Sequence, residues 1–360
     1  YMRRFLSAKH PNNWLEASST FESTKQKPGI WPAISLNNAS KAAATVNAAA
    51  AALSQPVICV VGPTASGKTD VAQLIATRLD GEVVSADSMQ VYRGMDIGTG
   101  KLPESERLVP HYGFDLVDPG EPFSAALFQA YARESFVEIE SKGKRSILAG
   151  GTGFYVRAAI DAYEFPDGEQ IDNPVRNHWN AFAAEYGPER LWSELHQRDP
   201  ESAQLIPPAD IKRVVRAFEL LETGDSYAIQ KQRLQSLPQW VPAMFIGLAV
   251  DPDVLRARIR ARVDSMVANG LIQEVETLLA SGFRDGITAP QAIGYKEIVA
   301  ALDGRTSMEE AIESIKVSTC RYAKRQRTWF RKDSRIHWLC ADSGDTDALA
   351  DEALALIDTL

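Results

Sequence analysis

The chain is 360 residues long, 45% hydrophobic and 24% charged, with a net charge of −8. That composition supplies a sizeable core and excludes a wholly disordered chain, and the length suggests about two domains. No apolar run reaches the roughly 18 residues that a membrane helix needs, and the acidic balance leaves only local patches for binding nucleic acid or anionic lipid.

Residues 1–55 stand apart. They hold six basic residues (Arg3, Arg4, Lys9, Lys25, Lys27, Lys41) and two acidic ones, so the remainder carries −12. Ser, Asn and Ala dominate, ending in the low-complexity run Ala42 to Ala52. A disordered extension is expected. A basic, acid-poor, Ser-containing segment also fits an organelle transit peptide, an alternative to the main expectation of a cytoplasmic protein. Cys59, Cys320 and Cys340 show no C-x-x-C or Cys/His spacing. They suit a reducing compartment and give no zinc site.

From Pro56 the pattern changes. Val57-Ile58-Cys59-Val60-Val61 is a continuous apolar run, the mark of a buried parallel strand. A glycine-containing turn and a helical stretch from Thr69 to Leu79 follow, then strands over Glu82 to Ala86 and Ser146 to Ala149. A fourth strand spans Phe245 to Val250. Strands alternating with helices predict an α/β fold, a parallel sheet flanked by helices. Between about Phe165 and Trp240 the strand pattern vanishes, and Val175 to Tyr186 and Ile211 to Glu222 read as helices. Beyond Asp251, Leu255, Ile259, Val263 and Met266 share one helical face. The expected division is a 1–55 extension, a first core part over 56–164 and a helical insertion over 165–240. A second core part with basic helices covers 241–340, and a terminal helix lies in 341–360.

Gly62-Pro63-Thr64-Ala65-Ser66-Gly67-Lys68-Thr69 satisfies G-x-x-x-x-G-K-[ST] between a strand and a helix, the context that makes a phosphate-binding loop specific. Glycines let backbone N–H groups turn around an anion, the helix N-terminus adds about half a positive charge, and Lys68 neutralises phosphate. Thr69 is a candidate Mg²⁺ ligand. An ordinary ATPase or kinase would add an apolar strand ending in Asp, but Ile147-Leu148-Ala149 runs into glycines. Asp115 and Asp118 are either substitutes or turn residues. Asp87 follows the second strand and so falls on the ligand-binding edge of an open α/β sheet. There it serves as general base, metal ligand or cap. The run from Met89 to Lys101 reads as a substrate-facing loop.

With Ser85-Ala86-Asp87-Ser88 and Tyr92-Arg93-Gly94-Met95-Asp96-Ile97-Gly98-Thr99, the chain resembles the tRNA dimethylallyltransferase family. Gly150-Gly151-Thr152-Gly153, Arg213-x-x-Arg216-Ala217-x-Glu219, Ala292-Ile293-Gly294-Tyr295-Lys296-Glu297 and Ala323-Lys324-Arg325-Gln326-x-Thr328-Trp329 extend it in order over about Val57 to Leu339. The resemblance implies a P-loop NTPase-like fold with an inserted helical domain that contacts tRNA. It implies transfer of a dimethylallyl group from dimethylallyl diphosphate to N6 of adenosine 37 in the anticodon stem-loop. Gly62 to Thr69 would hold the diphosphate, helped by Arg258 and Arg262, with Mg²⁺ near Thr69. Asp87 would be the general base and Lys68 would stabilise the leaving group. Thr152 would sit near the reacting base. Family tRNA contacts fall on Asp87, Ser88, Met89, Gln90, Thr152, Arg176, Lys212, Arg213, Arg216, Gly294, Tyr295, Lys296, Arg321, Lys324 and Arg325. Lys212 stands where the family has Gln, which puts a base-specific hydrogen bond there in doubt.

Lys316 to Arg335 holds eight basic residues and one acid, with Tyr322, Trp329 and Phe330 interleaved. Basic groups suit phosphates and aromatics suit unpaired bases. A basic solvent face with aromatics in the core fits equally well. Transfer to free adenine nucleotides, a P-loop small-molecule kinase and a non-enzymatic RNA-binding protein are the competing readings. A monomer without membrane association is expected.

Overall fold

The computed structural model describes residues 46–165 and 173–359. The expected disordered extension and transit segment fall, up to residue 45, outside the described residues. Residues 46–55 depart from that expectation. They include a short helical segment, Ala50 and Leu53 are buried in the main core, and the Arg133 guanidinium donates to Asn47 Oδ1 at 2.8 Å. Alanine-rich sequence hid this, because Ala packs without leaving a hydrophobic period.

Six strands form one parallel sheet in the order β3-β2-β4-β1-β5-β6. They are β1 (Val57–Val61), β2 (Gly81–Ser85), β3 (His111–Tyr112), β4 (Arg145–Gly150), β5 (Ala243–Ala249) and β6 (Ile336–Cys340). Every residue of β1 and β2 is buried, as the unbroken apolar run of β1 requires in a sheet covered on both faces. One face packs on α1 (Lys68–Arg78), α9 (Pro252–Ala268) and α13 (Thr346–Thr359). The other meets α2 (Ala125–Ser141), α3 (Gly153–Ile160), α10 (Leu271–Leu279), α11 (Tyr295–Leu302) and α12 (Met308–Phe330). The predicted face of α9 is confirmed: Leu255, Ile259 and Val263 are buried and Met266 packs beside them.

Between β4 and β5 the chain adds α4 (Pro174–Tyr186), α5 (Pro188–Arg198), α6 (Pro200–Gln204), α7 (Ile211–Glu222) and α8 (Tyr227–Gln235). Proline at the first position starts three of them, where its missing N–H is no loss. They enclose a separate core around Trp179, which stacks on Phe218 at 3.7 Å. At the neck of this unit, fully buried Asp161 receives Arg157 and Arg335, both at 2.6 Å, and Trp240 N–H donates to Ile160 O at 2.8 Å.

Candidate active site

The carboxyl ends of β1, β2 and β4 converge. Beyond β1 the loop turns with Ala65 at φ 62° and Gly67 at φ 84°, and α1 begins at Lys68 with no side-chain cap on its first N–H groups. Such uncapped donors form an anion site. Ser66 Oγ is buried within the loop and has no hydrogen-bond partner among the described residues. Beyond β2, Asp87 Oδ1 accepts the Met89 N–H at 2.9 Å, closing a short turn. Beyond β4, a Cβ at Gly150 would lie 2.2 Å from the Ala86 carbonyl oxygen, so only glycine lets these two strand ends approach. Thr152 Oγ1 then accepts the Ser88 N–H at 3.2 Å and ties the β4 turn to the β2 turn.

These turns open into a cavity of about 490 Å³. Thr64, Lys68, Thr69 and Asp87 line its polar end, with Ser88, Met89 and Gln90 beside them. Ile259, Val263, Met266 and Leu271 give it an apolar wall. Arg262 enters from α9, and Arg321 and Arg325 from α12. Burial pushes the Lys68 ammonium down to about 8, and neighbouring Arg262 adds to the shift. Burial also lowers Arg262, against the pull of Asp87 and Asp70. Among the described residues neither cation forms a salt bridge, and the hydrogen bond of Lys68 Nζ there is to the Pro63 carbonyl at 3.3 Å. Two half-buried cations without a carboxylate salt bridge among the described residues make an electropositive pocket, the setting for a polyanion. Burial beside Asp87 raises the Tyr322 hydroxyl to about 12, keeping it neutral.

Several expected residues sit elsewhere. Arg258 shares a helix face with Arg262, but its guanidinium donates to the carbonyls of Ala341 and Asp342 at 2.9 and 2.6 Å and does not line the cavity. The free carbonyls after β6 capture it first. Tyr295 borders the cavity but is fully buried, and its hydroxyl donates to Glu274 at 2.6 Å, so it braces the frame and offers RNA no surface. Gly294 and Lys296 flank it at the cavity. Lys324 is exposed outside the cavity lining. Arg176 and Arg216 converge on buried Glu219 at 2.6 and 3.0 Å, Arg213 pairs with Asp210 at 2.7 Å, and Lys212 is exposed. All four belong to the helical unit, away from the cavity lining. Asp115 and Asp118 are bound to Lys101 and Arg93 at 2.6 and 3.0 Å, so neither replaces the missing acid of a kinase.

Three contributors have roles that the sequence reading did not assign, although Gly100 and Gln326 lay within motifs it quoted. Glu274 accepts the N–H groups of Asp96, Ile97 and Gly98 at 3.0, 2.7 and 3.1 Å and so pins the loop over the cavity. Gly100 gives Arg262 its path, since a Cβ there would lie 1.7 Å from the guanidinium. Gln326 joins the phosphate loop to the β4 turn. The glycine-rich run of that loop and the motif around Gln326 carried a sequence signal, whereas Glu274 carried none.

Residues 90–333 match the family model described as IPP transferase, and residues 55–109 match the one described as Isopentenyl transferase. The chain belongs to the IPP transferase family. It is 45% identical over 295 residues to a tRNA dimethylallyltransferase of Carboxydothermus hydrogenoformans, covering 81% of this chain and 93% of that protein. It is 41% identical over 311 residues to the tRNA dimethylallyltransferase of Mycobacterium tuberculosis, covering 83% and 98%. Among solved structures it resembles the tRNA isopentenylpyrophosphate transferase of Bacillus halodurans (TM-score 0.63, 41% identity, 84% of this chain and 96% of that one). It also resembles a eukaryotic dimethylallyltransferase described as acting on tRNA (TM-score 0.70, 27% identity, 84% and 78%). The sheet is the α/β architecture of these transferases. No helix among the described residues is long and apolar enough to cross a membrane.

Proposed function

We propose that this protein transfers the dimethylallyl group of dimethylallyl diphosphate to N6 of adenosine 37 in tRNA, releasing diphosphate. The observation that carries the reading is the shared cavity: Lys68 at the loop, Arg262 from α9, the Asp87 carboxylate and the cationic face of α12 all open into it. The apolar wall of Ile259, Val263, Met266 and Leu271 suits a five-carbon chain, and the loop suits its diphosphate. The N6 lone pair forms the new C–N bond while the allylic C–O bond breaks, its electrons staying on the diphosphate oxygen. Lys68, Arg262 and the loop N–H groups hold the charge that develops there, as preorganised donors do. Asp87 accepts the N6 proton, which relieves positive charge on the attacking nitrogen. Thr152 holds the Ser88 turn beside Asp87.

The residues fit a Mg²⁺ ion bound mainly by diphosphate and water. Among the described residues no cluster of three or more His, Cys, Asp or Glu forms a metal cage, and Thr69 lines the cavity at the loop. Such sparse protein ligation is usual for Mg²⁺ on phosphates. Thr69 would hold the ion, which when bound supplies further charge neutralisation. Arg321 and Arg325 would meet the backbone of the anticodon loop, from which the adenine swings into the cavity at a cost of a few kcal/mol.

Nucleoside mass spectrometry tests the reading. The protein is incubated with Mg²⁺, dimethylallyl diphosphate and either unmodified tRNA or AMP. Prenylated adenosine in tRNA is expected. Prenylated AMP alone would move the acceptor to free nucleotides, and no product from folded protein would overturn prenyl transfer.

A further inference from the structure

The basic helix α12 does more than present cations. Its Gln326 is buried, with both ends of the carboxamide engaged: Oε1 accepts the Thr64 N–H of the phosphate loop and Nε2 donates to the Gly151 carbonyl of the β4 turn, each at 2.9 Å. The partners lie 262 and 175 residues away in sequence. Bridging an N–H to a C=O needs an acceptor and a donor on one short side chain, which a neutral amide provides and Glu⁻, Leu or Lys does not. The fit is close on both sides, since a Cβ at Gly151 would lie 2.3 Å from Nε2. One turn along α12, Trp329 covers Gly153, where a Cβ would lie 2.1 Å from the indole. The same helix thus grips the β4 turn twice and sends Arg321 and Arg325 into the cavity.

We infer that Gln326 is a positioning residue that locks the diphosphate loop to the turn bearing Thr152, setting the leaving diphosphate in register with Asp87. The inference rests on the proposed prenyl transfer. Gln326 borders the cavity, but its carboxamide is committed to these two backbone groups, so its part is to position them. It withdraws the Thr64 N–H from the anion, leaving the amides further along the loop to hold the diphosphate, and it sets the loop's height above the β4 turn. Displacement of a reacting group by about 1 Å is enough to lower a rate by about 10²-fold.

The test uses the full chain with Gln326→Leu and Gln326→Glu. Inorganic diphosphate with Mg²⁺ is titrated by calorimetry, an anticodon stem-loop by fluorescence anisotropy, and single-turnover transfer is followed across pH. Gln326→Leu is expected to weaken diphosphate by about tenfold, because the loop amides lose their fixed height above the β4 turn, and to slow transfer by about 10²-fold. Its stem-loop affinity is expected to stay within about twofold. Gln326→Glu is expected to lose transfer at pH 8 and regain it relative to the parent towards pH 5.5, because the protonated acid again offers one donor and one acceptor. Diphosphate affinity and transfer within threefold of the parent in both variants would overturn the inference. So would parallel loss of diphosphate, stem-loop and thermal stability with no recovery of Gln326→Glu at low pH. If Gln326→Leu does not fold, Gln326→Glu decides by its pH profile of diphosphate affinity. A parent protein that binds diphosphate but prenylates no acceptor would refute the proposed function instead, and the diphosphate titrations would still judge Gln326.

Discussion

Replacing Asp87 with Asn separates proton acceptance from every other task of that side chain. Oδ1 is occupied by the Met89 N–H at 2.9 Å, and Oδ2 has no hydrogen-bond partner among the described residues. Asn keeps an acceptor for Met89, so the turn persists, and the change falls on the oxygen that would take the N6 proton. Loss of a general base costs about 10²–10⁴ in rate, or about 2.7–5.5 kcal/mol of barrier. Asp87 also offsets the positive charge of Lys68 and Arg262. Its neutralisation is therefore expected to leave diphosphate binding unchanged or tighter, whereas a metal-ligand role for Asp87 would weaken it. Asp87→Ala should show the same rate loss and also lose about 1 kcal/mol of stability as the Met89 N–H loses its acceptor. The assay is single-turnover transfer of labelled dimethylallyl to saturating anticodon stem-loop, with diphosphate titrated separately. A rate within threefold of the parent, or a loss confined to stem-loop affinity, would refute the general-base argument.

Arg262→Ala should weaken Mg²⁺–diphosphate markedly. Arg258→Ala should leave that affinity intact and lower thermal stability by about 1–3 kcal/mol, the worth of two hydrogen bonds that hold the segment after β6; equal diphosphate losses in both titrations would contradict this. Gly150→Ala forces a methyl against the Ala86 carbonyl between two strand ends, a strain of about 1–3 kcal/mol, and an unchanged melting temperature would show the approach to be looser than described. Burial and the neighbouring Arg262 push the Lys68 ammonium down to about 8, so it is expected to be increasingly neutral above that pH. Diphosphate must then restore its proton, and affinity should fall as pH rises through 8. Calorimetry at pH 8.5 in two buffers of different ionisation enthalpy reads that uptake, and identical heats would exclude it.

What the sequence by itself determined was local. The run Val57 to Val61 pointed to a buried strand, the next eight residues matched a phosphate-loop pattern, and Asp87 followed a second strand by two residues. Each signal spans a few residues, within which steric preference and periodicity act directly. Tertiary structure decided which of those side chains meet. Arg258 and Arg262 are equivalent in a helical repeat, yet carbonyls from beyond β6 hold the first and Gly100 admits the second. β3 has two residues, too few to show alternation, and exists because Val83 and Val84 offer it an edge. Residues 46–55 looked featureless, yet Ala50 and Leu53 are buried in the main core, since such isolated side chains are buried by the surface they meet and not by a pattern of their own. Glu274 and Gln326 serve backbone groups more than 170 residues away. A hydrogen bond to a distant peptide group leaves no period in the chain, because its partner is selected by the fold and not by the neighbours in sequence.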